Sequence, residues 1–273
     1  MELPTIALTT VAGHLLVVLR ISAWLAIAPP FSHKAVPAKV KALLALGISL
    51  AVGSTMDFSG LSLSVADLAV AAVQQVLVGA SLGFLCYLAF AAVQAAGAAI
   101  DLFGGFSAAT AYDPAMQTGA AVFGRLYSLL TVTLLFASDG YLVVFHGITS
   151  TFSVLGLQEG ISWALLARVV SEGTTQLFVS ALQIAGPLIA VLFLVDVGLG
   201  LLTRAAPALQ AFSLGFPLKI VVTLAVAGTV VASLPSVVDA MAQDATSTVV
   251  ATATTGEDPG AAAAAERALV GGP

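Results

Sequence analysis

The stretch Gly97 to Val122, GAAIDLFGGFSAATAYDPAMQTGAAV, constrains this chain more than any other, because it interrupts long apolar runs on both sides. It carries the Gly104-Gly105 pair, Asp101 and the breaker Asp113-Pro114. Glycine admits backbone angles that other residues avoid, and proline removes a donor, so no unbroken helix should cross the whole stretch. In so apolar a chain, irregular backbone either lies outside the bilayer or is buried in protein where its N–H and C=O groups find partners. A solvated connecting loop is the ordinary outcome. The texture argues for burial instead: Phe103, Phe106 and Tyr112 alternate with small residues, and neither Lys nor Arg occurs.

The flanking runs make the chain an integral membrane protein. Of its 273 residues 59% are hydrophobic and only 8% charged, against roughly 25% charged in ordinary soluble domains. A net charge of −5 leaves no basic patch for nucleic acid. The single Cys86 allows no internal disulfide and reads as a small core residue. His14, His33 and His146 lie too far apart for a metal site, so neither a metal nor a cofactor is expected. Ala26-Ile27-Ala28 has the small-x-small form of a cleavage site. The missing basic n-region, Arg20 inside the apolar run and Pro29 after the cut argue for a retained first helix.

Taken in order, the chain offers about six hydrophobic helical segments. The first, Ile6 to Pro29, contains Arg20, whose charge costs roughly 2.5–3.5 kcal/mol in a span unless it meets protein or the interface. Pro29-Pro30 should end it, and Ser32 to Lys41, with Pro37 and three lysines, is the loop the positive-inside bias assigns to the cytoplasm. Ala42 to Met56 is short for a span, and Asp57 to Asp67 is an acidic turn. Leu68 to Ile100 has no charge and would be roughly 50 Å long as one helix, so it must bend or continue beyond a lipid core of about 30 Å. Gly79 and Gly83 form a GxxxG face for close helix approach, and Gln74, Gln75 and Gln94 need partners.

Arg125 to Ala137 and Tyr141 to Leu157 are two short halves around Ser138-Asp139-Gly140, in the manner of a helical hairpin. Glu159 to Glu172 reads as a surface helix with Arg168 and Glu172 at i,i+4, and Gly173 to Val195 as an apolar helix kinked at Gly186-Pro187. Asp196 and Arg204 sit about 80° apart on a helix, so each should meet a partner elsewhere. Pro207 and Pro217 break the chain again, and Ile220 to Val238 is the last apolar run. Arg20, Lys41, Asp196, Arg204 and Lys219 read as structural or assembly charges; Pro29, Pro37, Pro187, Pro207 and Pro217 read as helix breaks. The Ala/Thr/Gly-rich residues 239–273 are expected to form a disordered tail, leaving 1–238 as the helical membrane domain.

Four landmarks carry a family resemblance. They are Arg20-x-Ser22 with Pro29-Pro30-Phe31; Val36-Pro37 with Val40-Lys41; Gly97 to Pro114 with its Gly-Phe-Ser and Asp-Pro; and Asp196-x-Gly198-x-Gly200-Leu201-Leu202-x-Arg204. After the last come Pro207, Phe212 and Gly215-Phe216-Pro217-Leu218-Lys219. In these residues the chain resembles the FliR family of bacterial type III export-gate proteins, whose injectisome relatives are the SctT group. Gln210 departs from the Asn of the family's Pro-x-x-Asn-x-Phe and keeps the amide.

The resemblance implies an all-α subunit, like a fused FliP-like and FliQ-like pair, that helps form the flagellar gate for unfolded exported proteins. Its partners would be FliP-like, FliQ-like and FlhB-like subunits and membrane lipids. Its place would be the flagellar basal body in the bacterial inner membrane. Its irregular loop would plug the pore, with Phe103, Gly104, Gly105, Phe106, Tyr112, Asp113, Pro114 and Met116 as plug residues. An injectisome gate, or a small-molecule channel or transporter with broken helices, is the alternative. Gly105-Phe106-Ser107-Ala108 with the distant His146 is too short a motif to argue catalysis, so no enzyme activity is expected.

Overall fold

A computed structural model describes residues 3–33, 36–107, 122–158, 163–205, 215, 217–228, 230–232 and 234–237. Tyr112, Asp113, Pro114, Met116, Pro207 and the expected tail 239–273 lie outside the described residues. Within them the chain is helical, with no strand. The helices are α1 (Leu3–Ile27), α2 (Ala38–Gly53), α3 (Val65–Phe103), α4 (Val122–Ala137), α5 (Gly140–Val154), α6 (Trp163–Ala205) and α7 (Pro217–Ala232).

Helix α1 ends where its sequence turns to Pro29-Pro30, a cis pair. Phe31 then folds back onto Trp24 and Phe145, with ring centroids 5.7 and 5.3 Å away, and Trp24 and Phe145 are themselves 5.5 Å apart. Pro37 does not break α2 but precedes it: its carbonyl accepts the Val40 and Lys41 amides at 2.9 and 3.2 Å. The missing N–H of proline costs nothing at a helix start, so α2 covers 38–53 instead of the expected 42–56.

Helix α3 runs unbroken for 39 residues. At 1.5 Å per residue it is ~58 Å long, so it extends past the ~30 Å that lipid alone would cover. It also takes in Gly97 to Phe103, so irregular backbone starts at Gly104 and not at Gly97. Helices α4 and α5 meet in a bend of 78° at Ser138-Asp139. Asp139 there has φ 57°, a left-handed conformation that Asp tolerates better than most residues.

Three expected segments fuse into α6, whose 43 residues pass through Gly173, Pro187 and Asp196. Pro187 is therefore not a helix break. Proline removes one intrahelical bond, and a long apolar helix keeps all the others, since its backbone groups have no better partners in a nonpolar setting. Arg168 and Glu172 form the expected i,i+4 pair at 2.7 Å on its exposed surface. Helix α7 is described from Pro217 onward.

Among the described residues three helices are long and apolar enough to cross a membrane, Leu8–Ile27, Val65–Phe103 and Leu166–Ala205, and the bent pair α4–α5 would make a fourth. The chain forms two compact units. One holds residues 1–88 and 139–173, the other 89–138 and 174–240, so α3 and α6 contribute to both. In the first, Val17, Ile21, Trp24, Leu25 and Val78 are buried; in the second, Ile100, Tyr127, Leu188, Leu192 and Leu234.

Candidate functional site

The described part of the central stretch is its base, in the second unit. Helix α3 closes with the Gly104 amide donating to Ile100 at 2.8 Å, and Gly105 follows at φ 84°. That angle lies in the left-handed region, where glycine carries no penalty from a Cβ. The next residues fold back on the helix end: the Ser107 amide and hydroxyl both donate to the Asp101 carbonyl, at 3.2 and 2.9 Å. The Ser107 hydroxyl thus serves as a backbone brace.

Beyond residues 108–121 the chain re-enters as α4, and Asp101 holds that end too. Its Oδ1 accepts the Phe123 amide and its Oδ2 the Gly124 amide, both at 3.1 Å. These are donors of the first turn, which have no intrahelical partner and sit at the positive end of the helix dipole. Asp101 is 2% exposed, so the carboxylate is satisfied by α4 and not by water.

Its short side chain reaches because the backbones nearly touch. A Cβ added at Gly97, one turn before Asp101, would stand 2.6 Å from Cα and N of Gly124. One at Gly104 would meet Oγ1 of Thr223, from α7, at 2.8 Å. Phe106 packs edge-on against Phe123, and Phe123 against Tyr127, with centroids 5.2 and 6.1 Å apart. The base of the stretch is thus lined by aromatic side chains around the Asp101 node. The Tyr127 and Thr223 hydroxyl oxygens are buried with no hydrogen-bond partner among the described residues. Of the expected plug residues, Phe103 is the exposed last residue of α3, and Gly104, Gly105 and Phe106 form the turn.

The expected structural charges divide. Arg20 is fully buried in the first unit. Its Nε donates to Gln75 Oε1 at 2.6 Å, and Nη1 to the carbonyl and hydroxyl oxygens of Thr151 at 3.2 and 3.3 Å. Nη2 donates to the carbonyls of Leu155 and Gly156 at 3.1 and 3.4 Å, and the guanidinium lies 4.2 Å from the Phe152 ring centroid. Leu155 and Gly156 directly follow the last residue of α5, so the guanidinium sits at the negative end of its dipole, and it shares the Thr151 carbonyl with the Leu155 amide. Gln75 completes the node by donating to the Leu157 carbonyl at 2.8 Å.

Asp196 and Lys219 pair with each other at 2.6 Å, joining α6 to α7. Arg204 stands in the last turn of α6, where a cation complements the dipole, and Lys41 in the first turn of α2. Neither has an ion-pair partner among the described residues. Sequence reading passed over Asp101, Thr151 and Phe152 as site residues. Asp101 alone carried a signal, as a lone acid four residues after Gly97 in an otherwise uncharged run.

Residues 11–245 match the family model described as bacterial export proteins, family 1. The chain is similar to the flagellar biosynthetic protein FliR of Escherichia coli K12, 36% identical over 206 residues, or 75% of this chain and 78% of that one. It is also similar to FliR of Bacillus subtilis 168, 33% identical over 217 residues, 77% and 83% of the two chains. The secretion system apparatus protein SsaT of Salmonella typhimurium LT2 is 28% identical over 152 residues, 55% and 58% of the two.

Proposed function

The chain belongs to the bacterial export proteins, family 1, and on that footing we propose that its central stretch plugs the pore of the flagellar type III export gate. The protein is a membrane-embedded subunit of that gate. The flagellar FliR relatives match across 75% and 77% of the chain, whereas the secretion apparatus relative matches 55%, which favours the flagellum over an injectisome.

The observation that carries the plug reading is the mounting of the stretch. It leaves α3 through Gly104-Gly105 and returns at α4, the two ends held on one residue, Asp101, by its carbonyl and its carboxylate, and flanked by Phe106 and Phe123. A closed gate has to exclude water and ions, yet yield to an unfolded chain. Apolar side chains such as Phe103, Phe106, Tyr112 and Met116 exclude water without strong bonds that would have to break. Gly104 and Gly105 would let the segment swing at small conformational cost.

FliP-like and FliQ-like subunits around it, and a FlhB-like subunit beside them, would cover what the chain leaves bare. Leu43, Leu46 and Leu50 of α2 and Phe178, Leu182, Phe193 and Leu194 of α6 are exposed. Helices surrounded by protein need not match bilayer thickness. The gate then sits in the basal body at the inner membrane and passes unfolded flagellar proteins. Deleting residues 108–121 is expected to leave the complex assembled while its small-ion conductance rises. An assembled deletion complex that remains ion-tight overturns the plug.

A further inference from the structure

Among the described residues Asp101 is the one buried acid, and its groups meet both ends of the central stretch. Its main-chain carbonyl accepts two bonds from Ser107, on the outgoing side, and its carboxylate accepts the Phe123 and Gly124 amides, on the incoming side. The residue therefore sets the separation of the two points between which residues 108–121 run. Its reach depends on the contact of Gly97 with Gly124, because an aspartate is too short to bridge two helices at ordinary spacing.

We propose that Asp101 is a positioning residue for the export gate: a clasp that holds the two ends of the central stretch together at its base. The inference rests on the plug reading above.

The chemistry selects a carboxylate. Two amides of a helix's first turn present only donors, so the residue facing them must accept with both oxygens. Both bonds gain from the charge, in a site where water cannot compete. An asparagine of the same shape keeps one acceptor and turns a donor toward the other amide. The clasp holds the segment's ends, so loosening it should spare assembly and impair closure. A merely structural acid in the packing of α3 on α4 would do the reverse.

The test uses the whole complex, co-expressed with its partner subunits, and compares Asp101→Asn, Asp101→Glu and the 108–121 deletion. Amide hydrogen exchange at Phe123 and Gly124 and single-complex ion conductance are measured. Losing a hydrogen bond to a charged group is expected to speed exchange at Gly124 about tenfold or more. Conductance should rise in Asp101→Asn and be partly restored in Asp101→Glu, which keeps both acceptors.

An Asp101→Asn complex with unchanged exchange, or one as ion-tight as the wild type while the deletion leaks, overturns the clasp and leaves the plug standing. A deletion complex that is itself ion-tight overturns the plug, and the clasp with it. Should Asp101→Asn fail to assemble, Ser107→Ala removes one bond on the opposite side of the clasp and leaves α4 untouched. It is then expected to leak, and a tight Ser107→Ala complex overturns the proposal.

Discussion

Arg20 shows how a single charge is accommodated in a span. A guanidinium presents five donors in a rigid fork, and the C-terminal end of α5 presents a group of backbone carbonyls at the negative end of its dipole. Setting one against the other satisfies both, with Gln75 taking the Nε donor and Phe152 lying against the guanidinium face. Removing the fork leaves buried acceptors unpaired, so Arg20→Met is expected to cost about 3 kcal/mol. The amount of assembled complex recovered from membranes should fall accordingly. Arg20→Lys should lie between the two, since an ammonium keeps the charge but cannot span Gln75, Thr151 and Leu155 together. Recovery of Arg20→Met at wild-type level would show the node to be dispensable. Asp101 answers to the same logic with the sign reversed, an acid on the donor end of a helix where Arg20 is a base on the acceptor end.

At the scale of elements, glycine decides which helices come close. A Cβ at Gly79 would be driven into the carbonyl oxygen of Arg20, and one at Gly83 would stand 3.0 Å from Cβ of Ile27. The GxxxG face of α3 is therefore the seat of α1, and it holds the Arg20 backbone where its side chain can reach α5. Backbone has no rotamer to change, so Gly79→Val is expected to separate the helices at a cost of roughly 1–3 kcal/mol or more. It should also weaken the Arg20 node at a distance from it. The check is the thermal stability of the assembled complex for Gly79→Val, Arg20→Met and the double variant. Strict additivity of the two would refute the coupling, because residues that share a structural shift do not act independently.

For the whole molecule the question is what surrounds it. Helices of 39 and 43 residues are ~58 and ~64 Å long, about twice what a bilayer covers. Both also expose large side chains such as Val73, Leu102, Phe178 and Leu201. A protein whose helices overshoot lipid is stable only with neighbours that take up the remainder. Expressed alone in mild detergent, the chain is expected to aggregate or unfold without a cooperative transition, and to run as one large heteromer when its partner subunits are co-expressed. A monodisperse monomer with a sharp melting transition would contradict this.

Much of the protein is legible in its residues. Unbroken apolar runs force helices because lipid offers the backbone no other partner, and Pro29-Pro30, Asp139-Gly140 and Gly104-Gly105 mark real ends and turns. Burial of Arg20 and the need of Gln75 for a partner follow from the cost of leaving either in hydrocarbon. The ends of α6 do not follow, because Gly173 and Pro187 are local signals and a continuous helix keeps more backbone bonds than a broken one. Partners do not follow either. That Arg20 meets α5, that Asp196 takes Lys219 and not Arg204, and that Asp101 joins Ser107 to Phe123 and Gly124 are matters of tertiary contact, which no local pattern encodes. A periodic apolar sequence says which side chains must find company; only the packing of backbone on backbone, at Gly79 and Gly97, decides whose.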